Sequence, residues 1–312
     1  MALKDEILKA LLTEKEYISG ERLARRFGKS RAGVWKAIKS LRADGYRIDA
    51  VTNKGYMLSE KNEVYSARSV SARLKRKLDV IYFPSIDSTN TYCKKLIAQG
   101  REGEFLVVAE EQTAGRGRQG KSFYSPAKTG VYFSLVIRPD MKLSSAVTVT
   151  SAAAVAVCRA LEGLTDVTPQ IKWVNDVFVD GKKVCGILTE AVSDFESGTV
   201  DAVIVGIGIN IKTADFPEDV EGAGCIDVNI SRSELVAAVI NELYEITLGD
   251  YSAILDYYRS HSMLLGKRIK FMENSKVTEA LAVAIDERGG LVVRLDDGVE
   301  RTLRSGEISV RR

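Results

Sequence analysis

Residues 110–126 read Glu-Glu-Gln-Thr-Ala-Gly-Arg-Gly-Arg-Gln-Gly-Lys-Ser-Phe-Tyr-Ser-Pro, a basic, glycine-rich segment between two apolar runs of strand character. Gly115, Gly117 and Gly120 alternate with Arg116, Arg118 and Lys121. Glycine lets a backbone approach a ligand closely, and its successive N–H groups can form an anion-binding concavity. Arginine adds two-pronged pairing with carboxylate or phosphate. The segment therefore reads as a loop that closes over an anionic ligand. It also satisfies two phosphate-loop expressions, G-x-x-x-x-G-K-[ST] over Gly115–Ser122 and G-x-G-x-x-G over Gly115–Gly120. Both motifs require a strand directly before the loop and a helix opening at its end. The preceding strand, Phe105–Glu110, stops short of Gly115, and Phe123 to Pro126 leads into a second strand at Val131–Arg138. Neither motif applies.

Around this loop the pattern predicts a mixed α/β region. Upstream are a helix at Ser66–Lys77, a strand at Val80–Phe83 and a helix at Ser88–Gln99 capped by Ser88. Downstream, a helix at Ser145–Leu161 is rich in alanine and suited to close packing. Strands at Gln170–Lys172, Asp176–Val179, Lys183–Ala191 and Ala202–Ile209 follow, then helices at Ser233–Leu248 and Tyr251–Arg259. From Lys267 onward the pattern is strand-like (Arg268–Phe271, Val277–Ile285, Leu291–Leu295, Val299–Leu303), with glycines and aspartates between the runs. Roughly 45 residues of this kind fit a small β-barrel.

The first 64 residues differ in character. Leu3, Ile7, Leu8, Leu11 and Leu12 recur at helical spacing. Ser19 can cap a second helix that ends at Gly28, and Ser30 a third running through Val34, Ile38 and Leu41 to Asp44-Gly45. Tyr46–Val51, a turn at Thr52–Gly55 and Tyr56–Leu58 then make a hairpin. Helix-turn-helix plus hairpin is the winged arrangement. Arg31, Lys36 and Lys39 on the third helix and Lys54 at the hairpin tip suit a major groove and a flanking phosphate. Charge agrees: residues 1–60 carry 13 Lys/Arg and 8 Asp/Glu, whereas the whole chain is only +3. A basic excess confined to one segment suggests a nucleic-acid-binding module joined to something else. The polar stretch 59–66 serves as linker, giving expected domains at 1–64, 65–265 and 266–312.

At 312 residues there is room for two or three domains. No run of eighteen apolar residues occurs and the start lacks signal-peptide character, so a cytoplasmic protein without a membrane partner is expected. Cys93, Cys158, Cys185 and Cys225 are widely spaced, form no C-x-x-C pair, and read as small buried hydrophobes. His261 is the single histidine and lies at a helix end, so chemistry by Ser-His-Asp triads or histidine-rich metal sites is not expected.

Four further segments can join the loop. Asp87-Ser88-Thr89-Asn90 places short polar groups at a helix start, where free N–H groups point outward. Lys172-Trp173-Val174-Asn175-Asp176 puts a cation, an amide and a carboxylate between strands, and Asp176 could hold a magnesium ion. Lys183 opens the strand containing Gly186-Ile187-Leu188, and Gly206-Ile207-Gly208-Ile209-Asn210 ends another. In this order, and behind a winged helix, these motifs closely resemble the bacterial bifunctional biotin–protein ligases that also repress the biotin operon. The resemblance covers nearly the whole chain. Three positions depart from the family pattern: Gln119 stands for an arginine, Phe123 for a tryptophan and Val174 for a proline.

The resemblance implies an α+β chain: a winged helix-turn-helix, a central mixed α/β catalytic domain akin to class II synthetases, and a C-terminal SH3-like barrel. It implies two steps, in which the biotin carboxylate attacks the α-phosphate of ATP to give biotinyl-5′-adenylate, and a carrier-domain lysine then attacks that anhydride. Lys183 and Arg118 would be catalytic. Biotin would meet Ser88, Thr89, Asn90, Gln112, Gly115, Arg116, Gly117, Arg118 and Lys183. The phosphates of ATP would meet Arg116, Arg118, Lys121, Lys172, Asn175 and Asn210, with Mg2+ at Asp176. The implied partners are the biotin carboxyl carrier protein of acetyl-CoA carboxylase, operator DNA, and a second copy of the chain once adenylate is bound. Trp173 would wall the pocket or belong to the core. Phe216 is the aromatic residue of the later loop, and the adenine contact is unassigned. Two other readings stay open at this stage: a ligand-sensing transcription factor without ligase activity, and a lipoate ligase of the same broad fold.

Overall fold

The computed structural model describes residues 2–59, 64–138, 146–193, 200–218, 220, 222–248, 251–273, 276–304, 306 and 308–310. They divide into two compact units, Met1–Val80 with Ser231–Ala238, and Ile81–Ile230 with Val239–Arg312.

The first unit is the winged helix. Helices α1 (Leu3–Thr13), α2 (Gly20–Phe27) and α3 (Arg31–Ala43) precede a hairpin of β1 (Ile48–Val51) and β2 (Gly55–Leu58). Ser19 Oγ accepts from Arg22 N–H and Ser30 Oγ from Gly33 N–H, each capping the helix that follows. Gly28 ends α2 in the left-handed region at φ 61°, which makes the sharp turn into α3. Ile7, Leu8, Leu11, Leu23, Val34, Ile38 and Leu41 form one core. The wing is tied to this core by reciprocal backbone bonds between Ile18 and Tyr56, both 2.9 Å. Arg31, Lys36, Lys39 and the wing-tip Lys54 are all exposed, as expected.

A short helix, α4 (Ala67–Ser71), follows. It is much shorter than the expected Ser66–Lys77. The Ser69 carbonyl that would continue the helix accepts instead from the Arg73 guanidinium at 2.9 Å, and Arg73 N–H turns to Val70 at 2.9 Å. The cationic run that follows adds self-repulsion against any continuation.

The second unit is built on a seven-stranded sheet. Its strands are β3 (Asp79–Phe83), β4 (Phe105–Ala109), β5 (Gly130–Ile137), β6 (Gln170–Lys172), β7 (Asp176–Val179), β8 (Lys182–Ser193) and β9 (Val200–Asn210), in spatial order β3-β4-β5-β9-β8-β7-β6. Helix α5 (Thr89–Ala98) covers one face, where Cys93, Phe105, Val107, Val136, Ala202 and Ile204 pack together. Helix α6 (Ala146–Leu164) packs on the other, with Thr150 Oγ1 bonded to Thr189 Oγ1 at 2.9 Å. Two more helices, α7 (Arg232–Leu248) and α8 (Tyr251–Ser260), complete the α-helices among the described residues.

The C-terminal part is a five-stranded antiparallel sheet of β10 (Arg268–Glu273), β11 (Lys276–Ile285), β12 (Leu291–Arg294), β13 (Glu300–Leu303) and β14 (Ile308–Val310), ordered β13-β12-β11-β10-β14. Four of these strands are legible in the sequence. The fifth is three residues long and pairs with β10 at Ile269–Phe271, too short to leave a periodic signal of its own. Among the described residues no helix is long and apolar enough to cross a membrane.

Gly55 holds the wing at φ 110°, and a Cβ there would stand 2.1 Å from the Ile18 carbonyl oxygen. Gly55→Ala is expected to lower the local stability of the winged helix by about 2 kcal/mol or more. Amide exchange should read this as roughly thirtyfold faster exchange at Ile18 and Tyr56, with the seven-stranded sheet unaffected.

Candidate active site

The site begins with two glycines. Gly186 on β8 and Gly208 on β9 are direct cross-strand partners, and Gly206 pairs with Leu188 one repeat further along. Because side chains alternate along a strand, these positions share the face that carries α5. A Cβ at Gly208 would lie 2.3 Å from the Phe123 ring and one at Gly186 2.9 Å from it. At Gly206 a Cβ would lie 2.1 Å from Asn90 Oδ1. The bare backbone thus forms a flat floor on which the loop aromatic and the Asn90 amide rest. Beside it opens a cavity of about 550 Å³.

One end of the cavity is polar. Ser88 caps α5, and Thr89 donates to Gln112 Oε1 from its backbone N–H at 2.9 Å and its hydroxyl at 3.1 Å. Gln112 Nε2 in turn donates to Ser125 Oγ at 3.0 Å. Asn90 Nδ2 donates to the Leu188 carbonyl at 3.2 Å and to Glu190 Oε2 at 3.0 Å, while its Oδ1 accepts from Ser134 Oγ at 2.6 Å. Each group of this end is held by neighbours on the sheet or the loop, so its geometry is set before any ligand arrives.

The other end is cationic. Arg118 Nη1 donates to Asn175 Oδ1 at 3.0 Å, Asn175 Nδ2 donates to Asp176 Oδ1 at 3.1 Å, and Lys183 Nζ lies 2.8 Å from that same oxygen. This relay ties the loop to β7 and β8. Arg116 Nη2 lies 3.3 Å from Glu190 Oε1, which also receives Lys94 Nζ at 2.7 Å. Burial pushes the Glu190 carboxyl up, but hydrogen bonds from Lys94 and Asn90 and the Lys94 and Arg116 charges hold it below the usual range. Lys121 and Lys172 also line the cavity, and so does Lys270 of β10. Among the described lining residues the cations are Arg116, Arg118, Lys121, Lys172, Lys183 and Lys270, against one carboxylate, Asp176. Such a lining favours a polyanion.

Twelve of the expected ligand-contacting residues line this one cavity: Ser88, Thr89, Asn90, Gln112, Arg116, Gly117, Arg118, Lys121, Lys172, Asn175, Asp176 and Lys183. Gly115 and Asn210 do not. Gly115 is buried in the base of the loop, where a Cβ would stand 2.3 Å from the Phe123 carbonyl oxygen. Asn210 donates to the Gly224 carbonyl at 3.1 Å, and its buried Oδ1 has no hydrogen-bond partner. It holds the segment after β9 rather than the cavity wall. Trp173 is both wall and core: it is 3% exposed, lines the cavity, and donates Nε1–H to the Gly289 carbonyl at 2.8 Å.

Sequence reasoning missed Phe133 and the C-terminal contribution of Lys270, Phe271 and Met272. Phe133 is hidden within a uniformly apolar strand, and no local pattern ties residue 270 to residue 183. His261 stacks on Tyr257 and lies 3.1 Å from Glu162, away from the cavity lining. Cys93, Cys158 and Cys185 are buried, and burial raises each thiol, Cys93 to about 12. Phe216 meets Tyr124 edge to face with centroids 6.2 Å apart. No three His, Cys, Asp or Glu side chains among the described residues are grouped to hold a metal.

Three family profiles match the chain: an HTH domain over residues 4–57, the biotin/lipoate A/B protein ligase family over 82–210, and the biotin protein ligase C-terminal domain over 264–311. The Bacillus subtilis bifunctional ligase/repressor BirA is 33% identical, with 92% of each chain covered. The Escherichia coli protein of the same name is 30% identical over 97% of this chain and 95% of its own. Among solved structures, the biotin protein ligase of Aquifex aeolicus in complex with biotin and ATP is 28% identical, with a TM-score of 0.63 over 75% of this chain and 99% of that one. With a winged helix at one end, a cationic cavity on a glycine floor in the middle and relatives matched almost end to end, the chain belongs to the family of bifunctional biotin–protein ligase/repressors.

Proposed function

We propose that this protein joins biotin to a lysine of a biotin carboxyl carrier protein through biotinyl-5′-adenylate, and represses transcription of biotin genes when it holds that adenylate. The observation that carries the reading is the cavity in which the polar groups at the start of α5 and Gln112 share a lining with six cations beside the Gly186–Gly208 floor. Biotin has a polar ureido ring, an apolar body and a carboxylate tail, and ATP brings the polyphosphate. Ser88, Thr89 and Gln112 present donors and acceptors to the ring, while Asn90 is taken up by Leu188, Glu190 and Ser134 and braces that end. Trp173, Ile187 and Leu188 bound the apolar body. The carboxylate and α-phosphate then fall among Arg116, Arg118 and Lys183.

In the first step a biotin carboxylate oxygen bonds to the α-phosphorus as the bond to the leaving pyrophosphate breaks. The two reactants are both anions, so alignment and charge neutralisation are the main tasks, and no protein nucleophile is needed. Lys183, held by Asp176, and Arg118, held by Asn175, are the positioned cations. In the second step the neutral carrier amine attacks the biotinyl carbonyl and AMP leaves with the anhydride oxygen. Asp176 is the cavity's carboxylate among the described residues and is already paired with Lys183. A Mg2+ brought in with ATP would be held on the protein side by Asp176, and the donor set would not cage the ion by itself. The ion would screen phosphate charge.

The division of labour follows the proposed domains, 1–64 for operator DNA, 65–265 for catalysis and 266–312 as a companion barrel whose Lys270 reaches the cavity. A cytoplasmic site of action fits a substrate pair of ATP and a carrier of acetyl-CoA carboxylase. The liganded form is proposed to be a two-fold dimer on an inverted repeat, since one winged helix reads only a few base pairs.

Incubation with ATP, a carrier domain and either biotin or lipoate should transfer biotin alone and release pyrophosphate and AMP. Transfer of lipoate, or of neither, would overturn the reading. Lys183→Ala should slow adenylation by roughly a hundredfold or more, with a smaller loss in biotin affinity. Near-normal pyrophosphate exchange would remove Lys183 from the reaction. Sedimentation with and without the adenylate should show dimerisation strengthened by the ligand, and by linkage operator DNA should tighten adenylate binding. A dimer constant unchanged by adenylate would remove the switch.

A further inference from the structure

Helix α3 leaves one large aromatic side chain on its outer face. Trp35 is 53% exposed, although the helix buries Val34, Ile38 and Leu41 efficiently on the opposite side. Tryptophan is on average a highly buried residue, and an indole left half in water gives up much of the area it could remove from solvent. Trp35 lies four residues after Arg31 and four before Lys39, so the three form one stripe of neighbours along the helix. Lys39 Nζ sits 5.3 Å from the ring centroid, a cation–π contact that steadies the ring while leaving its far face open. Arg31, Lys36 and Lys39 make the surroundings of the ring cationic. An aromatic plate inside a basic stripe on this helix is complementary to DNA.

We propose that Trp35 reads a thymine of the operator through its 5-methyl group. In the major groove the apolar mark that separates thymine from the other bases is that methyl group, and it is recognised by apolar contact. The N-terminal half of a recognition helix is the part that reaches base edges, and Trp35 lies within it. Successive members of the stripe are about 6 Å apart along the axis, or roughly two base-pair steps. Arg31 and Lys39 therefore fall on either side of the base that Trp35 meets. The cations supply attraction to phosphate that any sequence offers, and the indole supplies discrimination. This inference rests on the reading of residues 1–64 as the operator-binding module.

The test uses the full chain with biotin and ATP. A binding duplex is selected from random sequence, and each thymine is then replaced by uracil, which removes the methyl group and nothing else. One thymine per half-site should respond, with affinity falling about five- to tenfold. In Trp35→Ala that penalty should vanish while the salt dependence of binding stays as in the parent, and Trp35→Phe should retain most of it. Lys36→Ala should instead weaken all duplexes alike and flatten the salt slope. The chain has two tryptophans, and Trp173 lies in the ligand cavity at 3% exposure, so with biotin and ATP saturating, the part of the DNA-induced quenching that is lost in Trp35→Ala reports Trp35. Sequence-specific binding with no uracil-sensitive position, or a uracil penalty that survives in Trp35→Ala, would overturn the proposal. So would a Trp35→Ala protein that fails to dimerise without DNA, since the indole would then be a contact between copies. Absence of any sequence-specific binding by the parent would overturn the operator-binding reading and the proposal with it.

Discussion

The contact of the Phe123 ring with the bare backbone of Gly186 and Gly208 is the constraint on which the active site depends. It seats a loop whose own glycines give it little intrinsic preference, and it does so on a rigid sheet. The ring reaches its place because two facing positions of β8 and β9 lack a Cβ, and the floor stays flat because the strands pair in register around them. Once Phe123 is seated, Gly115 O accepts from Phe123 N–H at 2.9 Å, and the arginines between them project toward the cavity.

From that seat the electrostatics follow. The loop could place its cations in many ways, but Arg118 is caught by Asn175, which is fixed in turn by Ile187 and Asp176. Lys183 joins the same relay from β8. Arg116 is held in a different network, with Glu190, Lys94 and Asn90. The cavity's arginines and Lys183 are therefore pre-positioned by two separate sets of polar partners, both anchored in β8. The turn that carries Asn175 is itself pinned by Tyr258, whose hydroxyl donates to the Val174 carbonyl at 3.2 Å, and by the Trp173 bond to Gly289. In this way the turn between β11 and β12 supports the turn next to the cavity's cations.

Much of this was legible in the sequence because the chemistry is concentrated in short segments. Serine before a helical run gave the caps at Ser19, Ser30 and Ser88, and the capped helices are there. The basic loop, the Lys172–Asp176 segment and Lys183 were marked by composition, and they meet in one cavity. What was hidden was relational. The glycine at 115 also lets the Phe123 carbonyl pass, a fact of tertiary packing that no local pattern carries. Asn210 is held against the Gly224 carbonyl at the end of β9, outside the lining of this cavity, a placement that only the tertiary fold sets. Lys270 could not be linked to the site by any local rule, because strand β10 reaches the cavity only through the fold. The last strand and the early end of α4 were missed for the same reason, since a three-residue pairing and a side-chain bond to Ser69 leave no periodicity.

If the Gly186–Gly208 floor seats the loop, the sharpest measurement is titration calorimetry of biotin and ATP on Gly208→Ala. The new methyl group would meet the end of a loop side chain, so the ring should be displaced while the sheet stays folded. The account predicts a melting temperature close to that of the parent and clearly weakened binding of both ligands, because the loop that carries Arg116 and Arg118 loses its seat. Parental affinity in a folded Gly208→Ala protein would contradict it, and the loop would then owe its position to something other than the floor.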